Sequence, residues 1–113
     1  MNTNLTRHEY IDNVLDTYRR TLATTGSVRR NDRLLAAALY DRGIPLSTIQ
    51  NALVLAASRR IFRAPDAATL QPVRSLHYVL PVVEEVLQLR VSQDYYRYLQ
   101  LKIDQAQNKT RTP

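Results

Sequence analysis

The sequence predicts an all-α fold, and three observations predict it. Only two glycines, Gly26 and Gly43, occur in 113 residues, which leaves little turn chemistry for β-hairpins. Alanine, leucine and arginine dominate, and all three favour helix. Apolar residues recur at three- and four-residue spacing along most of the chain. With 44% apolar residues at this length, one compact bundle of about five helices is expected. It should span residues 1–106, with residues 107–113 as a flexible tail.

The elements follow in order. Thr6-Arg7-His8-Glu9 has the spacing of a capping box, in which a hydroxyl and a carboxylate three residues on satisfy two free backbone donors. Tyr10, Ile11, Val14, Leu15, Tyr18 and Leu22 then form a one-sided stripe, so helix one is expected over about 7–23. Thr24-Thr25-Gly26-Ser27 reads as a turn. Helix two is expected over about 29–42, with Leu34, Leu35, Ala38 and Leu39 on its buried face. Arg42-Gly43-Ile44-Pro45-Leu46 closes it and opens helix three, which should reach about Arg63. The run Ala52-Leu53-Val54-Leu55-Ala56-Ala57 is apolar nearly all round, so the middle of helix three should be buried on most sides. Residues 64–72 read as a linker, and Ser75 as the cap of a helix to about Leu89 that Pro81 must kink or restart. Ser92 caps a fifth helix over about 93–106, with Tyr96, Leu99 and Ile103 on one face.

Charge is unevenly distributed. The net value is +6, and fourteen of the sixteen basic residues are arginine. Residues 1–18 carry −2, residues 19–63 carry +7 and residues 64–113 carry +1. Solubility alone is served by lysine, whereas the guanidinium fork suits phosphates, base edges and carboxylates. A localised arginine excess therefore points to a polyanion, with a solvated face tied by internal salt bridges as the alternative. Arg29, Arg30 and Arg33 crowd the start of helix two, where cations oppose the helix dipole by a few tenths of a kcal/mol each. Capping logic would have chosen acids there.

The segment 29–63 has the pattern of a helix-turn-helix: Leu35 and Leu39, then Gly43, then Ile44, Leu46, Ile49 and Ala52 on an inner face. On that reading Ser47, Thr48, Gln50, Asn51 and Val54 face outward near the start of the second helix. Gln50 and Asn51 are candidates for adenine edges, and Ser47 for a phosphate or base. Arg29, Arg30 and Arg33, with Arg59, Arg60 and Arg63, would neutralise backbone phosphates. The same helix pair also occurs in domains that never touch DNA. Leu39 stands where alanine is usual, and Val54 and Leu55 suit a central core helix better than a presented reader.

Other chemistry is poorly represented. His8 and His77 are the only histidines, with no metal-ligand spacing; His8 should be solvated and His77 should pack. Adjacent Glu84 and Glu85 diverge on a helix, and neither a phosphate-cradling loop nor a nucleophile motif occurs, so no enzymatic activity, cofactor or metal is expected. Tyr95-Tyr96-Arg97-Tyr98 could stack unpaired bases; alternatively Tyr96 and Leu99 pack inward with Tyr95 and Tyr98 at the rim. Without cysteine, signal peptide or membrane-length apolar run, the chain reads as cytoplasmic.

Several strings carry a resemblance: Tyr18-Arg19-Arg20, Gly26, Val28-Arg29-Arg30, Asp32-Arg33, Arg42 to Leu46, Ala52-Leu53, Ser58-Arg59-Arg60 with Phe62, and Val73 to Tyr78 with Pro81. Over about residues 14–87 they resemble a group of small, largely uncharacterised bacterial proteins associated with mobile-element and recombinase neighbourhoods. The Arg-Gly-Ile-Pro-Leu turn is also similar to helical modules of plasmid replication initiators and primosomal proteins. Both likenesses imply an accessory role on DNA in transposition, recombination or replication. The rivals are a helical subunit of a larger nucleoprotein particle, contacting RNA or single-stranded DNA, and an adaptor whose arginines meet an acidic protein.

Overall fold

The computed structural model describes residues 5–63, 66–68, 70–89 and 91–111, with side chains through residue 107. Among them are five α-helices: α1 (Arg7–Arg20), α2 (Arg30–Asp41), α3 (Leu46–Ile61), α4 (Leu80–Gln88) and α5 (Gln93–Arg111). A 3-10 turn at Leu76–Val79 leads into α4, so Pro81 restarts a helix and does not kink one. The nearest approach to a sheet among the described residues is one parallel bridge between Thr24 and Val73. No described helix is long and apolar enough to cross a membrane.

Local chemistry sets the helix ends. Thr6 and Glu9 form the expected capping box. At the other end of α1, the Thr21 hydroxyl donates to Thr17 O and the Thr24 hydroxyl to Tyr18 O and Thr21 O. Side chains thus take carbonyls that further helix would have used, and α1 stops at Arg20, three residues short of the expected end. The Arg42-Gly43-Ile44 turn is a Schellman cap: Gly43 has φ +76°, Gly43 N–H donates to Tyr40 O and Ile44 N–H to Leu39 O. Tyr10 fixes that turn to α1 by donating its hydroxyl to Ile44 O at 2.7 Å. At the chain's other end, α5 runs on past 106 to Arg111, into residues expected as tail; residues 112 and 113 lie outside the described set.

Packing makes α3 the central helix. It lies against α1, α4 and α5, and buries Ile49, Ala52, Leu53, Leu55, Ala56 and Ala57. In contrast, α2 packs on α1 and on the 3-10 turn. The two helices of the expected helix-turn-helix therefore share their turn but do not pack along their lengths. Tyr18, Leu15, Leu39, Ile49, Leu53 and Leu76 are the largest fully buried side chains.

One polar group sits among them. Asp32, only 1% exposed, accepts from Arg29 N–H through Oδ2 at 2.9 Å and from Leu76 N–H through Oδ1 at 2.8 Å. A single carboxylate thus caps α2 and, 44 residues on, the 3-10 turn. Ser75, expected to cap that second start, makes no capping bond with its side chain. Substituting Asp32→Ala would orphan both donors and is expected to cost about 2–4 kcal/mol. Asp32→Asn keeps one acceptor and should fall between that variant and the wild type. Thermal unfolding followed by circular dichroism orders the three proteins; equal melting temperatures would remove the double cap from the account.

Candidate nucleic-acid interface

Residues 71–75, just before the 3-10 turn, form a strap across neighbouring segments and place the arginines around it. Gln71 O accepts from Arg60 Nε at 3.0 Å. Val73 donates its N–H to Ala23 O and accepts from Thr25 N–H, each at 2.8 Å, and from the Tyr18 hydroxyl at 3.3 Å. Leu76 N–H ends the strap on Asp32. The strap therefore joins the end of α3, the loop after α1 and the start of α2 at one end of the molecule. Ala23 holds φ +68° to present its carbonyl there, a left-handed conformation costing an L-residue about 1–2 kcal/mol.

This end gathers Arg19, Arg29, Arg30 and Arg74, all exposed. None of the four makes an ion pair among the described residues. Arg33 sits nearby over α1, its guanidinium 3.5 Å from Asp12, beside Arg19 in a shallow groove. Arg19 and Arg74 were not among the residues singled out for phosphate contact. Arg19 reads locally as a C-terminal charge on α1, and nothing adjacent to Arg74 in sequence announces the strap.

The arginines at and just beyond the end of α3 have internal duties instead. Arg59 grips Glu85 with both terminal nitrogens, the Nη1–Oε1 bond being 2.8 Å. Arg60 holds Gln71 O and Ala56 O, and Arg63 donates to Ala68 O at 2.8 Å. Asn51 is paired through its amide with Gln93, Nδ2 to Oε1 at 3.1 Å and Nε2 back to Oδ1 at 3.2 Å. Ser47 is exposed and Thr48 half-buried. Gln50 lines a groove of about 380 Å³ between the end of α1, the middle of α3 and α5, floored by Leu53, Val54 and Ala57. With 1.5 Å of rise per residue, Ser47 lies about 20 Å along α3 from Arg60. The candidate base-contacting residues and the arginine end are therefore on separate parts of the surface.

Two further expectations can be placed. Tyr96 and Leu99 are buried while Tyr95 and Tyr98 are exposed, the packing alternative for that cluster. His8 is solvated and pairs with Asp12, but His77 points into solvent and does not pack. Comparison with protein-family models, curated proteins and solved structures finds no match for this chain.

Glu84 and Glu85 diverge as adjacent helical residues must, Glu84 to Arg42 and Glu85 to Arg59. Hydrogen bonding from its arginine holds each carboxyl below the ordinary glutamate value of 4.5. A folded value lowered in this way stabilises the native state above the unfolded value and loses that contribution as pH falls through the folded one. A Glu84→Gln/Glu85→Gln variant should therefore melt below the wild type at pH 7, and the gap should close as pH falls from about 4.5. A gap independent of pH would mean that the two ion pairs do not hold α4.

Proposed function

We propose that this chain binds nucleic acid, duplex DNA foremost, by resting its arginine end on the phosphate backbone. The observation that carries this reading is that Arg19, Arg29, Arg30 and Arg74, exposed on neighbouring segments at one end, make no ion pair among the described residues, although Asp12 and Asp16 line the groove that holds Arg19. Unpaired arginines cost the isolated domain mutual repulsion and gain nothing inside it; phosphates supply what they lack. The packing of α3 among α1, α4 and α5 favours contact with the backbone over insertion of α3 into a groove. Binding is therefore expected to be largely indifferent to sequence. The resemblance to proteins of mobile-element and recombinase neighbourhoods agrees with an accessory role in bacterial transposition, recombination or replication, in the cytoplasm.

Four phosphate contacts imply a log–log salt slope of about −4 on duplex DNA. The triple variant Arg29→Ala/Arg30→Ala/Arg74→Ala should lose most of the affinity and bring the slope towards −1 while keeping the fold, since none of these side chains holds the core together. Mobility shifts with duplex DNA, single-stranded DNA and RNA at two salt concentrations provide the test. Unchanged affinity in the triple variant rules out this surface. Preference for single strands or RNA, with dependence on Tyr95 and Tyr98, transfers the role to the tyrosine face. No binding at physiological salt leaves the arginines to an acidic protein.

A further inference from the structure

The strap delivers an aromatic side chain as well as a guanidinium to the arginine end. Positions in a 3-10 turn repeat every three residues, so Leu76 and Val79 share the buried face while His77 and Tyr78 take the outward positions. Tyr78 is 64% exposed, more than any other large hydrophobic side chain among the described residues. Its ring stacks on no other ring there, and its hydroxyl holds no hydrogen bond among them. The backbone beneath it is fixed. Tyr78 N–H donates to Ser75 O at 3.1 Å, and Leu76 N–H donates to Asp32 Oδ1 at 2.8 Å. The other oxygen of Asp32 holds Arg29 N–H. The main chain at Arg29 and that at Leu76 are thus one carboxylate apart, with Arg30 following the first, and Arg74 and Tyr78 each two residues from the second. Burial raises the Tyr18 hydroxyl above the ordinary tyrosine value, and the nearby Arg29 guanidinium opposes that rise. The same hydroxyl donates to Val73 O, the residue before Arg74.

Every nucleotide joins a phosphate to a base, and this end of the molecule has a side chain suited to each. Given the nucleic-acid reading above, on which this rests, we propose that Tyr78 stacks an unpaired base. The arginine end then takes duplex DNA beside a single-stranded overhang in preference to a blunt duplex. Inside a duplex the base faces are covered by their neighbours, so only an unpaired base offers the face that an exposed tyrosine can cover. Stacking of this kind tolerates any sequence, as phosphate contact does. What separates Tyr78 from the other exposed tyrosines is its company. Tyr95 and Tyr98 share a helix with Arg97, which Asp94 holds at 3.1 Å. Arg29, Arg30 and Arg74 make no ion pair among the described residues. Leu101 and Leu34, also highly exposed, have no aromatic face to offer a base.

Fluorescence anisotropy of the full chain at low salt compares three labelled DNAs: a blunt duplex, the same duplex with an overhang of about six nucleotides, and that overhang with its bases removed. The abasic overhang keeps every phosphate and lacks only what Tyr78 would hold. The overhang with bases should bind about tenfold more tightly than its abasic counterpart. Tyr78→Ala should remove that margin, with affinity for the blunt duplex and melting temperature unchanged, because the ring lies outside the core. Tyr78→Phe keeps the ring and should keep the margin, as should Tyr95→Ala/Tyr98→Ala. Equal binding of the two overhangs, or a margin that survives Tyr78→Ala, overturns the stacking site and leaves the arginine end standing. A wild-type chain that binds none of the three DNAs removes the arginine end, and the stacking site with it.

Discussion

The Asp32 carboxylate is the point at which two distant parts of the chain are joined. A carboxylate removed from water is expensive unless its oxygens are met by donors, and here both are met by backbone N–H groups. The arrangement explains an oddity at the start of α2. Arginines at a helix N-terminus oppose the dipole, but Asp32 places a full negative charge within the first turn and offsets them. It does so without neutralising them by contact. Asp32 is buried, with one oxygen on Arg29 N–H and the other on Leu76 N–H, and makes no ion pair among the described residues. The acid nearest these arginines is thus used inside the fold, on the backbone.

From that follows a division of labour among residues of one type. Arg42 and Arg59 meet adjacent glutamates and fasten α4 from two sides. Arg60 takes Gln71 O and so holds the segment after α3 against the helix, while Arg63 takes Ala68 O within that segment. Arg7 closes α1 onto the end of α2 through Asp41, which it keeps below the ordinary aspartate range. Exposed pairs of this sort contribute little to stability one by one. Their collective effect is positional: they consume the acids along the sides of the bundle, and the excess charge is left at the strap end.

What was legible in the sequence was local. The Thr6–Glu9 box, the glycine cap at Gly43, the restart at Pro81 and the inward set Tyr96, Leu99 and Ile103 all follow from spacing within one or two helical turns. What was not legible depends on partners far along the chain. Asp32 meets Leu76 44 residues away, Tyr18 meets Val73 55 away and Arg59 meets Glu85 26 away, and no periodicity encodes such pairs. The expected site divides along the same line. Arg29 and Arg30 are recognisable because their charge conflicts with the local helix start, whereas Arg74 belongs to the site only through the strap. Asn51 and Arg59 looked outward by helical phase, and α5 and α4 supply the partners that engage them. Ala23 is a further case: its left-handed backbone accompanies the bond from Val73 N–H to its carbonyl, and alanine gives no sign of it.

If the chain binds nucleic acid as proposed, selectivity would not come from the arginine end. Contacts to phosphates alone would give a binding mode whose strength falls steeply with salt and which carries little sequence information. Base readout needs side chains presented to a groove, whereas α3 is held among α1, α4 and α5 and its Asn51 amide is already paired with Gln93. The split between arginines that meet internal partners and arginines that do not therefore favours positioning on a backbone, with any choice of site left to a partner or to the shape of the nucleic acid.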